Sequence, residues 1–256
     1  MNVIDFFKKI YRAVYYRNIQ YQWEKGPEKE MINFLTEFYN LKHEWKITPK
    51  EIKMMCKLGK RLVAEIWNLM EPRTEEEIRK YYQKDPFSIF ELAYFHAHPL
   101  QKKFRQKVVN LVNYGKVLDY GGGIGDLSLK LAQKGLDVTY VDVAGINMEF
   151  AKFLFKKKNI NVEVLDAEKD KEKIWSKKYD FIICIEVIEH VTRPEELLEN
   201  IANSLNKKGT LIITGFNYPG PEPHQPMHRK IEFDIVKKLS YYGIEKTEDD
   251  RFWVKK

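Results

Sequence analysis

Apolar residues recur every three or four positions through the first hundred residues of the chain and fall into short continuous runs after that. Ile52, Met55, Cys56, Leu62, Val63, Ile66, Trp67 and Met70 share one helical face, the spacing of an amphipathic helix. Thr48-Pro49-Lys50-Glu51 opens that helix with an N-cap threonine, a proline at the first helical position and a capping-box glutamate. Pro72 stops it. Thr74-Glu75-Glu76-Glu77 opens another helix by the same device, and Pro27 to about His43 predicts a third from Met31, Phe34, Leu35 and Phe38. Val3 to Tyr16 alternates apolar residues with Lys8, Lys9 and Arg12; such a basic amphipathic helix can lie on a membrane, but packing on a neighbouring helix is the expectation.

From about residue 117 the pattern is that of strands. Val117-Leu118-Asp119, Val138-Thr139-Tyr140-Val141-Asp142, Val162-Glu163-Val164-Leu165-Asp166 and Tyr179-Asp180-Phe181-Ile182-Ile183-Cys184-Ile185-Glu186 are apolar runs that each end at an acid. The fourth is continuous in apolar residues, as a parallel strand covered on both faces should be. Asn206 to Thr214 reads as a turn running into a fifth strand. Phe233 to Tyr242 then reads as a last helix stopped by Gly243, with short strands at Ile244–Thr247 and Arg251–Val254. Two parts follow: a helical region over residues 1–100 and an α/β domain over 101–256.

The turn after the first strand carries the most specific chemistry. Asp119-Tyr120-Gly121-Gly122-Gly123-Ile124-Gly125 runs into a helix marked by Leu127, Leu129, Leu131 and Ala132, a strand–turn–helix unit of the kind that cradles nucleotide-like ligands. Without a Cβ, glycine lets backbone turn sharply and approach a ligand. The dinucleotide fingerprint G-x-G-x-x-G fails, because Asp126 occupies its third glycine position. The pattern D-x-G-x-G-x-G fits throughout and resembles motif I of the class I S-adenosylmethionine (SAM)-dependent methyltransferases. A triple-glycine turn is also found in the aminopropyltransferases of polyamine synthesis, but their acidic segment after the fourth strand has no match here.

The resemblance extends along residues 101–256. Glu186-Val187-Ile188-Glu189-His190 is similar to the E-V-[LI]-E-H segment of ubiquinone-pathway O-methyltransferases, and Asn206-Lys207-Lys208-Gly209-Thr210 is similar to the family's turn into strand five. It implies a Rossmann-like sheet of seven strands, mostly parallel, with helices on both faces and an antiparallel last strand, preceded here by an α-helical cap. It implies SAM as cofactor, bound by Asp119, Gly121, Gly123 and Gly125, with Asp142 on the ribose, Asp166 and Ala167 at the adenine, and Glu186 at the end of strand four.

Composition narrows the partners. Residues 1–105 carry 20 Lys and Arg against 14 Asp and Glu, whereas residues 106–256 carry 24 against 23. The basic excess therefore sits on the helical part, where it suits an anionic substrate or a solvated surface; nucleic acid is not the favoured partner, since no continuous basic block or RNA-binding motif occurs. The two cysteines, Cys56 and Cys184, each lie inside an apolar element, as reduced, buried thiols of a cytoplasmic protein would. No run reaches the length of a membrane span, and nothing in the composition specifies an oligomeric state.

Methyl transfer needs in-line positioning and, for some oxygen and nitrogen acceptors, a base. Glu186, Glu189 and His190 fall at i, i+3 and i+4, so a helical turn would present them on one face. The loop from Phe216 to Arg229, stiffened by Pro219, Pro221, Pro223 and Pro226, is long for a plain connector; it is expected at the acceptor site and supplies His224 and His228. His190, Glu189 and His228 are the catalytic candidates. Relatives with an E-x-x-E-H segment include small-RNA 3′-terminal ribose methyltransferases and quinone O-methyltransferases that bind a divalent metal. No metal is expected here, but Glu186, Glu189, His190 and His228 (or His224) form the set that would hold one. Ahead of the first strand, Tyr94, His96 and His98 are the expected pocket members, with Phe90, Leu92 and Phe95 as core. The expected activity is SAM-dependent methylation of a small molecule, at oxygen ahead of nitrogen. The alternatives are an RNA-terminal ribose methyltransferase and a SAM-binding or partner-binding protein without turnover.

Overall fold

The computed structural model describes residues 26–43, 46–72, 74–223 and 225–256; the amphipathic segment Val3–Tyr16 and His224 lie outside them. Among the described residues five helices come first: α1 (Lys29–Lys42), α2 (Pro49–Met70), α3 (Glu75–Lys84), α4 (Ser88–Ala97) and α5 (Pro99–Leu111). Then follow β1 (Lys116–Tyr120), α6 (Asp126–Gln133), β2 (Asp137–Asp142), α7 (Ile146–Lys157), β3 (Glu163–Asp166), α8 (Lys171–Trp175), β4 (Tyr179–Cys184), α9 (Pro194–Ser204), β5 (Leu205–Ile213), α10 (Ile235–Tyr241), β6 (Ile244–Lys246) and β7 (Phe252–Lys255).

Both predicted capping boxes form. Thr48 and Thr74 accept from the backbone of Glu51 and Glu77, whose carboxylates reach back to the threonine N–H groups, a device worth about 0.5–2 kcal/mol per cap. The last helix is shorter than its pattern, because Asp234 caps it from outside.

The seven strands lie in the order β3-β2-β1-β4-β5-β7-β6. The first five are parallel, and β7 is inserted antiparallel between β5 and β6. Period-two alternation divides the sheet between two cores. Val117, Phe181, Ile183, Ile212 and Phe252 pack on one face with Phe104, Val108, Leu127 and Leu131 of α5 and α6. Leu118, Ile182, Cys184, Leu211, Ile213 and Trp253 pack on the other with residues of α8, α9 and α10. Cys56 and Cys184 are both buried, and burial pushes the Cys56 thiol up to about 12. The helical region is joined to this body through apolar contact: Leu35, Phe38, Ile52 and Phe90 share a cluster with Ile124 after β1 and with Phe150 and Leu154 of α7. No helix among the described residues is long and apolar enough to cross a membrane.

Strand β1 pairs with β2 on one side and β4 on the other. Chain connections leave in opposite directions at that point, so a crevice opens at the carboxyl ends of β1 and β4. Helices α3 and α4 lie beside it.

Candidate functional site

The crevice is a cavity of about 760 Å³ that takes in the glycine turn, the ends of β2 and β4, part of the loop after β5, and the inner faces of α3 and α4. Volumes of this size are usual for sites that enclose most of a small ligand.

At one end the turn is held in advance of any ligand. Gly121, Gly123 and Gly125 all have positive φ. A Cβ on Gly121 would lie 2.2 Å from Val187 Cγ2, so the turn is pressed against the segment after β4 and only glycine satisfies both backbone and contact. Asp142 accepts from Gly123 N at 2.6 Å and from Val143 N at 2.7 Å, while Tyr140 Oη donates to Gly123 O at 2.7 Å. Gly125 serves packing instead: its Cβ would meet Ala151 of α7 at 2.6 Å, and it lies outside the cavity lining.

Asp119 is buried and accepts from Ser128 Oγ at 2.6 Å. Burial pushes both Asp119 and Asp142 up to about 6, so each carboxylate gains from a cationic or hydrogen-donating ligand. Asp166 is adjacent to Asp142 across β2 and β3, but its carboxylate accepts from Glu168 N at 2.9 Å. Ala167, not Asp166, lines the cavity.

Behind the turn lies a charge cluster. Arg105 Nη2 donates to Asp126 Oδ1 at 2.6 Å, and His96 Nδ1 lies 3.0 Å from the same oxygen. The Asp126 carboxyl is held well below the usual carboxylate range: burial alone would raise it, but the Arg105 charge and then His96 outweigh burial. Burial and then Arg105 lower the His96 ring. Arg105 and His96 both face the cavity.

The other end is built by the segment after β4 and by the proline-rich loop. The expected helical turn does not form there. Glu186 adopts φ 55°, which turns its carboxylate away from Glu189 and His190 to accept from Thr214 Oγ1 at 2.7 Å and Tyr218 Oη at 2.6 Å. Glu189 is fully buried, packed on the bare Cα of Gly215, and neither carboxylate oxygen has a hydrogen-bond partner. Burial and then the Glu186 charge push it up to about 9. His190 Nδ1 is hydrogen-bonded to Tyr82 Oη of α3 at 2.8 Å. His228 is buried with its ring 4.9 Å from His190 and 4.2 Å from Tyr218, and its Nδ1 has no partner. Burial, then neighbouring positive or imidazole groups, lowers His190 to about 3 and His228 to about 4, so both rings are neutral at neutral pH.

Ligand atoms of Glu189, His190 and His228 lie within 4.8 Å of one another; Glu186 does not join them. Of the pocket members expected ahead of β1, His96 faces the cavity together with Leu92 and Phe95. Tyr94 packs against the helical core, and His98 caps α5. Arg105, Glu91 and Tyr82 are among the cavity residues absent from the sequence-derived candidates. Arg105 interrupts the buried stripe Phe104, Val108, Val109 of α5, and Glu91 is the only charge in the run Ser88–Ala97; a charge in an apolar stripe was the available signal in both cases. Tyr82 carried none, since its partner is 108 residues away.

Residues 77–245 match the family described as methyltransferase domain. The ubiquinone biosynthesis O-methyltransferase of Rickettsia conorii is 32% identical over 125 residues, covering 48% of this chain and 42% of that one. The protein of the same description from Rickettsia akari is 34% identical over 102 residues, 40% of each chain. The chain thus spans about two fifths of the length of these relatives. Among solved structures, magnesium protoporphyrin IX methyltransferase from Synechocystis PCC 6803, with bound S-adenosylhomocysteine (SAH), superimposes with a TM-score of 0.51 at 18% identity over 72% of this chain and all of that one, a likeness of fold.

Proposed function

The chain belongs to the methyltransferase-domain family, and on that premise we propose that it transfers the methyl group of SAM to an oxygen of a small-molecule acceptor in the cytoplasm. The observation that carries this reading is one cavity with two chemically distinct ends. The first offers a backbone bare of side chains at Gly121–Gly123, hydrogen-bond acceptors at Asp142 and Asp119, and the Arg105 guanidinium. These fit SAM: Asp142 to the ribose hydroxyls, Ala167 against the adenine, Arg105 to the methionine carboxylate and Asp119 near the cationic portion. Gly125 and Asp166 act from behind, by packing and by shaping the turn. Residues 1–100 are read as a helical cap and substrate region over the cavity and residues 101–256 as the cofactor-binding domain.

The second end receives the acceptor. Methyl transfer from a sulfonium is a direct displacement, so the chain's work is to orient the acceptor and exclude water. Tyr218, anchored by Glu186, and the neutral rings of His190 and His228 supply orienting hydrogen bonds and aromatic walls. Asp142→Ala should weaken SAH binding at least tenfold, about the value of a lost charge-assisted hydrogen bond. A thermal shift with SAH that persists undiminished in that variant would remove the cofactor assignment. Methylation of an RNA 3′ end with steep salt dependence, when a panel of small phenols and catechols stays unmethylated, would replace the acceptor class.

A second reading concerns a divalent metal. The orphaned Glu189 oxygens and His228 Nδ1, converging with His190, are what an ion site needs, and two imidazoles with one carboxylate suit a first-row transition ion. An ion there would supply polarisation of an acceptor hydroxyl. Elemental analysis of purified protein should give close to one equivalent, lost in Glu189→Ala; metal-free wild-type protein that turns over at full rate would discard this reading.

A further inference from the structure

Helix α4 puts into the cavity a carboxylate that neither the glycine turn nor the histidine cluster accounts for. Glu91 sits among Ile89, Phe90 and Ala93, which are buried in the helical core. Its backbone is held by the crossing of α2: a Cβ on Gly59 would stand 2.4 Å from Glu91 N and 2.6 Å from its Cα. Two helices touching backbone to backbone leave α4 no room to roll. The half-buried Glu91 side chain lines the cavity, and no described residue hydrogen-bonds to its carboxylate.

The charged groups facing Glu91 come from three elements: Asp85 from the turn before α4, Lys60 from α2, and Glu186 from the segment after β4. Asp85 is itself fixed, accepting from Phe87 N at 2.9 Å. Burial, then Asp85, push the Glu91 carboxyl up; Lys60 opposes them, Glu186 adds to them, and the carboxyl ends at about 7. A base is most effective with its pKa near working pH. His190 is less available for that role because its Nδ1 is committed to Tyr82.

Resting on the reading of this cavity as a methyl-transfer site, we propose that Glu91 is a catalytic residue, the general base that takes the proton of the acceptor hydroxyl. As the acceptor oxygen's lone pair forms the bond to the methyl carbon, the S–CH3 bond breaks and its electron pair returns to sulfur. The hydroxyl proton passes to Glu91, which later releases it to solvent at the cavity mouth beside the exposed Lys60. The base thus comes from the helical region and the cofactor site from the sheet, so neither part is competent alone.

The test uses the full chain, labelled SAM and the panel of phenols and catechols. Wild-type kcat/KM should rise with pH and level off above about 7, since the ionised carboxylate is the active form. Glu91→Gln should lower kcat about a hundredfold and abolish the acid limb while SAH affinity stays within about twofold. Glu91→Asp should keep the limb and recover part of the rate. Independently of any acceptor, a 13C titration of glutamate carboxyls with SAH bound, assigned by the signal missing in Glu91→Gln, should give a midpoint near 7. A midpoint below about 5.5, close to an unperturbed glutamate, would overturn the proposal, as would Glu91→Gln turning over with its acid limb intact. Failure of the wild-type protein to bind SAH is the separate result that removes the underlying reading.

Discussion

Replacing Arg105 with alanine is expected to lower stability by about 3–5 kcal/mol and to weaken SAH binding more than tenfold. The stability loss follows from burial. The Arg105 side chain is 8% exposed and that of Asp126 15%, and removing one partner of such a pair strands the other charge away from water. His96 is a weak substitute as the cation, because burial and Arg105 both lower its ring. Asp119 also lies in the field of Arg105, so its ionised form is disfavoured further in the variant. Urea unfolding reads the first effect and titration calorimetry the second. Arg105→Lys should retain part of the stability but less of the SAH affinity, since an ammonium cannot bond Asp126 and a ligand carboxylate with a planar fork. Unchanged unfolding midpoints in Arg105→Ala would mean that His96 alone neutralises Asp126.

Gly59→Ala sets local propensity against tertiary contact. Inside a helix the change should stabilise by about 1 kcal/mol. Here the new methyl would overlap the Glu91 backbone, and backbone cannot move aside as a flexible side chain can. The expected outcome is a net loss of about 3 kcal/mol, at the upper end of overpacking costs, together with a fall in methyl transfer as α4 and Glu91 are pushed from the cavity. Thermal unfolding decides the sign. A gain in melting temperature would show that the α2–α4 crossing relaxes without cost.

These two residues mark where sequence reading stopped. The strand ends at Asp119, Asp142 and Asp166, the triple-glycine turn and both capping boxes were legible because each rests on neighbours within a few positions, whereas the antiparallel end of the sheet was implied by the family resemblance. The segment from Glu186 to His190 was misread for a related reason. Its i, i+3, i+4 spacing is helical, yet Val187 is pressed against Gly121 and Glu186 is drawn to Thr214 and Tyr218. Those contacts favour a left-handed residue over one more helical turn. Tyr94 and His98 were expected in the pocket because their ends are polar; α4 and α5 turn them toward the helical core and a helix cap instead.

By itself the sequence determined the alternation of strands and helices, the mostly parallel seven-stranded sheet through its family resemblance, and the glycine turn and strand-end acids at one end of the cavity. That end is made of consecutive backbone and of acids closing consecutive strands, so local pattern reports it. The tertiary structure alone decided the other end of the cavity: which imidazole meets Tyr82, that Glu189 is buried without a hydrogen-bond partner, that Glu186 faces the loop, and that Gly59 fixes Glu91 in the cavity. Those facts depend on side chains brought together from across the chain, and on burial that changes what a carboxylate or an imidazole does. Neither long-range contact nor desolvation leaves a periodic trace in the order of residues.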